Sequence, residues 1–203
     1  MENFLIITDI IGIISFTISG FIIAIYYKFD FVGIFISATL TSLGGGIIRD
    51  AMIGQMPFAF THDYPFYVIL GSITIMMAFK IHKIKTIENH FLYILSDSIG
   101  LVAFSIMGAL IAIREEVNIL GTIVITLLTA VGGGSIRDIL MNKIPFFMSK
   151  DFYAIIAIFI ALFLYFLHLF TPIDIFIILA TFIAFLLLRL LAYYKKWFVP
   201  FLH

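Results

Sequence analysis

Asp9, Arg49 and Asp50 are charged residues set inside or beside apolar runs, and each has a twin 88 positions on, at Asp97, Arg137 and Asp138. A lone charge at the centre of a membrane helix costs on the order of 2.5–3.5 kcal/mol on insertion scales, so such residues pair with one another or serve a polar path. Asp9 lies one turn into the first apolar run and Arg49 near the end of the second, at matching depth. Asp97 and Arg137 repeat that relation. The expectation is two intramembrane pairs, Asp9–Arg49 and Asp97–Arg137. Two roles fit them: locking helix ends together, or setting the charge at the two mouths of a permeation path. Asp50 and Asp138 read either as vestibule carboxylates or as ordinary interfacial residues.

The arginines close two copies of one motif, "SLGGGIIRD" (Ser42 to Asp50) and "AVGGGSIRD" (Ala130 to Asp138). Gly44, Gly45 and Gly46 begin about 20 Å into the second apolar run, past mid-membrane at 1.5 Å per residue, and Gly132, Gly133 and Gly134 do the same in the fifth. Glycine costs a helix roughly 1 kcal/mol relative to alanine, so three together predict a local break. Broken backbone at membrane depth must be buried in protein or line a wet cavity, and broken helices of inverted repeats often build ion or substrate sites. The competing reading is close helix packing by small residues, the role assigned to Gly20 with Ala24 and to Gly108 with Ala112.

Elsewhere the chemistry is sparse. Ser37, Thr39, Thr41, Ser42, Thr126 and Thr129 precede the glycines and either bond back to their helix or face a pore. His62, His82 and His90 have no metal-ligand spacing and read as solvated, and His168 as interfacial. No nucleophile–base arrangement, phosphate loop or metalloprotease motif is present, so the chain is not expected to be an enzyme, nor to hold a metal or cofactor. The absence of cysteine excludes disulfides.

These residues sit in a chain of 203 residues that is 63% hydrophobic and 12% charged, with a mean hydropathy of +1.20, values of an integral membrane protein. Seven stretches reach the length of a membrane helix: about 5–27, 31–53, 65–80, 91–113, 117–140, 152–170 and 173–194. The 88-residue shift also superposes Gly12 on Gly100, Phe16 on Phe104, Gly20 on Gly108 and Pro57 on Pro145, an internal repeat. Each unit holds three helices, an odd number, so the second must enter the membrane from the opposite face. The expected architecture is all-α: two inverted three-helix repeats (1–80 and 91–170) joined by a basic cytoplasmic linker (81–90), then a seventh helix and short tail (171–203), with helices two and five broken at the glycines. Ten of the 12 Lys and Arg, Arg189 among them, fall on one face and only Arg49 and Arg114 on the other, placing the N-terminus outside and the C-terminus in the cytoplasm. Zero net charge implies no nucleic-acid partner. Tyr193, Tyr194 and Trp197 beside Lys195 and Lys196 read as an interfacial anchor.

Two three-helix units, each with GGG-x-x-R-D in its second helix, plus a seventh helix, resemble the prokaryotic branch of the trimeric intracellular cation (TRIC) channel family, over about residues 5–194. The resemblance implies a homotrimer in a prokaryotic plasma membrane, in contact with membrane lipids. Each subunit would hold its own pore for monovalent cations, potassium ahead of sodium, between kinked second and fifth helices at Gly44–Gly46 and Gly132–Gly134. The phosphoinositide site of the animal branch is not carried over, because residues 91–113 contain no Lys or Arg. A second reading stays open. Inverted repeats also build transporters, and a small solute such as glycine would find Arg49 or Arg137 a partner for its carboxylate. A purely structural scaffold explains the repeat but not the doubled charges.

Overall fold

The repeat is visible first in how helices begin and end. Asp30 and its twin Asn118 each accept a hydrogen bond from the backbone amide three residues on, Gly33 N and Gly121 N, both at 2.8 Å. Each thereby caps a helix whose first amides have no other partner. Lys28 and its twin Glu116 turn the chain into those caps with left-handed backbone, φ 57° and 54°. The same helices end alike: Gly54 (φ 72°) and Asn142 (φ 56°) occupy equivalent positions just beyond them.

In the computed structural model, which describes residues 2–79, 91–145, 148 and 152–197, every element is helical among the described residues. They are α1 (Glu2–Tyr26), α2 (Phe31–Met52), a four-residue α3 (Phe58–Thr61), α4 (Tyr64–Ala78), α5 (Phe91–Arg114), α6 (Ile119–Leu140), α7 (Tyr153–His168) and α8 (Ile175–Tyr194). Apart from α3, these are the seven apolar helices expected. Five are long and apolar enough to cross a membrane alone, whereas α4 and α7, with 15 and 16 residues, are shorter. At 1.5 Å per residue these two reach about 23 Å, less than a bilayer core. The basic linker expected at 81–90, with Lys83, Lys85, His82 and His90, lies outside the described residues, as do Lys80, Phe146 and Lys150.

The two repeats meet through α1 with α5 and through α2 with α6. Phe16 of α1 and Phe104 of α5 pack ring to ring, centroids 5.2 Å apart, and each ring lies on the glycine of the opposite helix. A Cβ built on Gly100 would fall 2.3 Å from the Phe16 ring, and one built on Gly12 would fall 2.6 Å from the Phe104 ring. Gly20 admits α2 to α1, where its Cβ would meet Ser37 O at 2.8 Å, and Gly108 admits α6 to α5, where its Cβ would meet Thr126 Cα at 2.9 Å. This is the small-residue packing read from the sequence. One apolar core gathers around Phe16, Phe21, Ile69 and Ile73, and the other around Leu101, Ile106, Ile156 and Ile160.

The expected breaks are absent. Both α2 and α6 run as single α-helices through their triple glycines. The reason is where the glycines point. A Cβ on Gly45 would sit 2.0 Å from Thr129 O, and one on Gly133 would sit 2.2 Å from Thr41 O. A Cβ on Gly44 would sit 2.9 Å from Gly133 Cα, and one on Gly132 the same distance from the Ile48 side chain. The triplets are the crossing point of α2 and α6, backbone against backbone. Close approach offsets the poor helix propensity of glycine, and an intact hydrogen-bond ladder spares the several kcal/mol that each unpaired backbone group costs in hydrocarbon.

Candidate functional site

The third glycine of each triplet faces elsewhere. A Cβ on Gly46 would lie 3.7 Å from Arg49 Nη2, and one on Gly134 would lie 3.7 Å from Arg137 Nη2. Residues three apart share a helix face, so the motif G-x-x-R lets each guanidinium fold back over a bare stretch of its own helix. Both arginines are buried, 3% and 2% exposed.

Their ion pairs differ from the expected ones. Arg49 Nε donates to Asp50 Oδ1 at 2.7 Å, and Arg137 Nε donates to Asp138 Oδ1 at 2.9 Å, with Nη2 at 2.8 Å. No ion pair within 4.0 Å joins Asp9 to Arg49 or Asp97 to Arg137. Neighbours in sequence do not ordinarily face each other on a helix, and Asp50 and Asp138 read from the sequence as vestibule or interfacial residues. The arginine side chain is long enough to bend back to them. Asp50 carries a second duty, accepting from Phe58 N at 2.8 Å through Oδ2, which ties α3 to the end of α2.

Asp9 and Asp97 are satisfied by hydroxyls. Tyr64, at the start of α4, donates to Asp9 Oδ2 at 2.6 Å. Ser19 donates to Asp97 Oδ1 at 3.3 Å, and Tyr153, at the start of α7, also hydrogen-bonds to Asp97. Arg49 remains within electrostatic reach of Asp9, and Arg137 of Asp97. Each end of the molecule therefore carries an aspartate, a tyrosine from the third helix of the repeat, and an arginine–aspartate pair from the second. The tyrosines were missed in the sequence because the shift of 88 places Tyr64 on Phe152, one residue before Tyr153. Tyr93 joins the second cluster with a hydrogen bond to Arg137.

The largest departure is Arg189. Counted with the loop charges, it is instead 3% exposed and buried inside the helix bundle. Its guanidinium carbon lies 4.8 Å from the ring centre of Tyr153 and 6.0 Å from that of Tyr193, and it acts electrostatically on Asp97. Only its position, five residues before the end of an apolar run, hinted at this.

A cavity of about 450 Å³ opens at the Asp9 end, lined by Arg49, Asp50, Gln55, His62, Tyr64 and Arg114 together with apolar side chains. Deeper, a pocket of about 20 Å³ lies among Asp9, Ser42, Gly46, Arg49 and Phe104, enough for one water. The hydroxyls near the crossing mostly turn to backbone. Ser37 donates across to Gly20 O at 2.9 Å, Ser42 to Ala38 O at 2.8 Å, and Thr41 and Thr129 to carbonyls one turn earlier, both at 2.6 Å. The hydroxyls of Thr39 and Thr126, and Nη1 of Arg49 and Arg137, have no hydrogen-bond partner among the described residues. At the opposite end Lys143, just beyond α6, donates to the Tyr27 hydroxyl and sits 4.1 Å over its ring, closing the α1–α2 turn onto the end of α6. Among the described residues no three His, Asp or Glu gather where they could hold a metal ion.

Comparison with known proteins places this arrangement. A family model described as "Glycine transporter" matches residues 6–83 and 94–169, once per repeat. A UPF0126 membrane protein of Bacillus subtilis is 36% identical over 73% of this chain and 73% of its own. A solved prokaryotic TRIC channel, crystallised in 0.5 M KCl, is 31% identical, with a TM-score of 0.85 over 96% of this chain and 98% of that one. A second solved structure, described for conductance through TRIC cation channels, is 32% identical with a TM-score of 0.82 over 97% of this chain and 96% of that one.

Proposed function

The chain belongs to the prokaryotic TRIC channel family, described by the glycine-transporter model, and from that premise we propose that it is a monovalent cation channel whose pore lies inside each subunit. The observation that carries the proposal is the pair of equivalent charged clusters, one at each end of α2 and α6, joined by helices that cross at Gly45 and Gly133. A cation entering the 450 Å³ cavity meets Asp50 and Asp9 beside Arg49, and a cation leaving at the other end meets Asp97 and Asp138 beside Arg137. The aspartates offset the arginines, so the path is polar without being strongly cationic. Potassium is the proposed principal ion, and a homotrimer in a prokaryotic plasma membrane the proposed assembly.

The Asp9 end faces the exterior in this reading. The other end carries Lys28, Lys143, Lys195 and Lys196 among the described residues, and a lysine-rich face is ordinarily cytoplasmic.

One observation favours a second reading, uptake of a small zwitterion. Arg49 lines the cavity with an unpartnered Nη1 beside Asp9 and Asp50, and the matching family model bears a transporter's description. A planar-bilayer recording of the purified protein separates the two. Discrete currents reversing near the potassium potential support the channel. Electrical silence together with saturable glycine uptake into liposomes overturns it in favour of the transporter.

A further inference from the structure

The seventh helix stands outside the repeat, and it reaches into only one of the two charged clusters. Arg189 of α8 lies over the ring of Tyr153, whose hydroxyl bonds to Asp97, and its Nε has no hydrogen-bond partner among the described residues. A buried cation in a membrane helix is expensive, and one kept there is expected to act on a partner at a functional site. The Asp9 cluster holds one arginine, Arg49, for Asp9 and Asp50. The Asp97 cluster holds two, Arg137 and Arg189, for Asp97 and Asp138. With all groups ionised, the first sums to −1 (one arginine, two aspartates) and the second to zero (two arginines, two aspartates). That difference of one positive charge holds for any protonation state that Asp9 and Asp97 share.

We propose that Arg189 is a specificity-determining residue of the permeation path, which makes the two mouths electrically unequal and the conductance asymmetric. A charge at a confined mouth with low-dielectric walls changes the local concentration of permeant ions. With the other charges held fixed, Arg189 makes the Asp97 mouth less attractive to cations, and it favours passage from the Asp9 end toward the Asp97 end. Tyr153 and Tyr193 hold the guanidinium over their rings, 4.8 and 6.0 Å from its carbon, within electrostatic reach of Asp97. The inference rests on the channel reading. Charges at the rims, Arg114 with Glu115 at the Asp9 end and Lys143 at the other among them, are common to every variant below, so each ratio is read against that of wild type.

The test is single-channel recording of the full-length protein in symmetric potassium chloride, comparing current amplitude at equal and opposite voltages. Wild type is expected to rectify. R189Q, which gives both clusters the same formal charge, should shift the current ratio from the wild-type value in favour of cations entering from the Asp97 end. R189K keeps the charge and should keep the wild-type ratio. D97N/R189Q restores a neutral second cluster and should return the ratio to that of wild type, even if R189Q alone is poorly folded. A merely structural arginine would instead lower the amount of active channel and leave the ratio of each surviving channel unchanged. A ratio that is identical in wild type, R189Q and D97N/R189Q overturns this inference while leaving the channel standing. A silent wild type overturns both.

Discussion

Phe16 and Phe104, 88 positions apart in sequence, lie with ring centroids 5.2 Å apart at 55°, each on a glycine of the other's helix. Each repeat thus supplies both a ring and the bare surface that receives a ring. The contact is self-complementary, as the interface of a symmetric dimer would be, although both halves belong to one chain.

That relation predicts a specific suppression. Gly100→Ala forces a methyl group into the Phe16 ring, whose nearest atom is 2.3 Å from the ideal Cβ, and should destabilise the protein by about 1–3 kcal/mol. Phe16→Leu alone should also be destabilising, because it empties a fully packed site. Together the two should be milder than their sum. Thermal unfolding in detergent measures this, and strictly additive losses would show that the ring and the glycine do not share one space.

The glycine triplets should divide by position. Gly45→Ala and Gly133→Ala place a methyl group on a backbone carbonyl, 2.0 and 2.2 Å away, and neither carbonyl can move without opening its helix. Both variants should sharply reduce the yield of folded protein. Gly46→Ala and Gly134→Ala meet only an arginine tip at 3.7 Å and should gain about 1 kcal/mol of helix propensity. Equal yields of Gly45→Ala and Gly46→Ala would remove the helix crossing as the reason for the triplet.

Arginine pairing can be resolved by a double-mutant cycle. Asp50→Asn leaves Arg49 buried against a neutral neighbour and should cost about 3–5 kcal/mol. Arg49→Gln combined with Asp50→Asn should recover much of that. Asp9→Asn should cost less, since its partner at 2.6 Å is the Tyr64 hydroxyl. A coupling energy larger for Asp9 with Arg49 than for Asp50 with Arg49 would restore the pairing expected from the sequence.

At the opposite end of the molecule the strap between Lys143 and Tyr27 has a predictable pH range. Its hydrogen bond to Tyr27 raises the pKa of Lys143 above the ordinary lysine value. The folded pKa exceeds the unfolded one, so the contribution is fully present below the unfolded value and is lost as pH rises through the folded one. The melting temperatures of wild type and Tyr27→Phe should therefore differ by a constant amount from neutral pH to about pH 9 and converge only in stronger alkali. Convergence near neutrality would mean that the contact contributes nothing.

Much of this molecule is written in local sequence. Apolar runs of about 20 residues require membrane helices whatever surrounds them, and Asp30 and Asn118 mark helix starts because a short side-chain acceptor satisfies free amides within its own turn. An odd number of helices per repeat requires inversion. The charged residues at each end were also legible by type and depth. Partnership was not, because helical periodicity says which face a residue occupies and not what lies opposite. Three glycines in a row weaken a helix, and that local fact predicted a break. Only the approach of Thr129 O to Gly45 and of Thr41 O to Gly133 shows why the helices stay whole. Arg49 was matched to Asp9 by depth, yet bends to its own neighbour, Asp50. Arg189 reads as one more basic residue near a helix end. Its place over Tyr153 and near Asp97 is set by how α8 packs on α5 and α7, a long-range contact that no short stretch of sequence encodes.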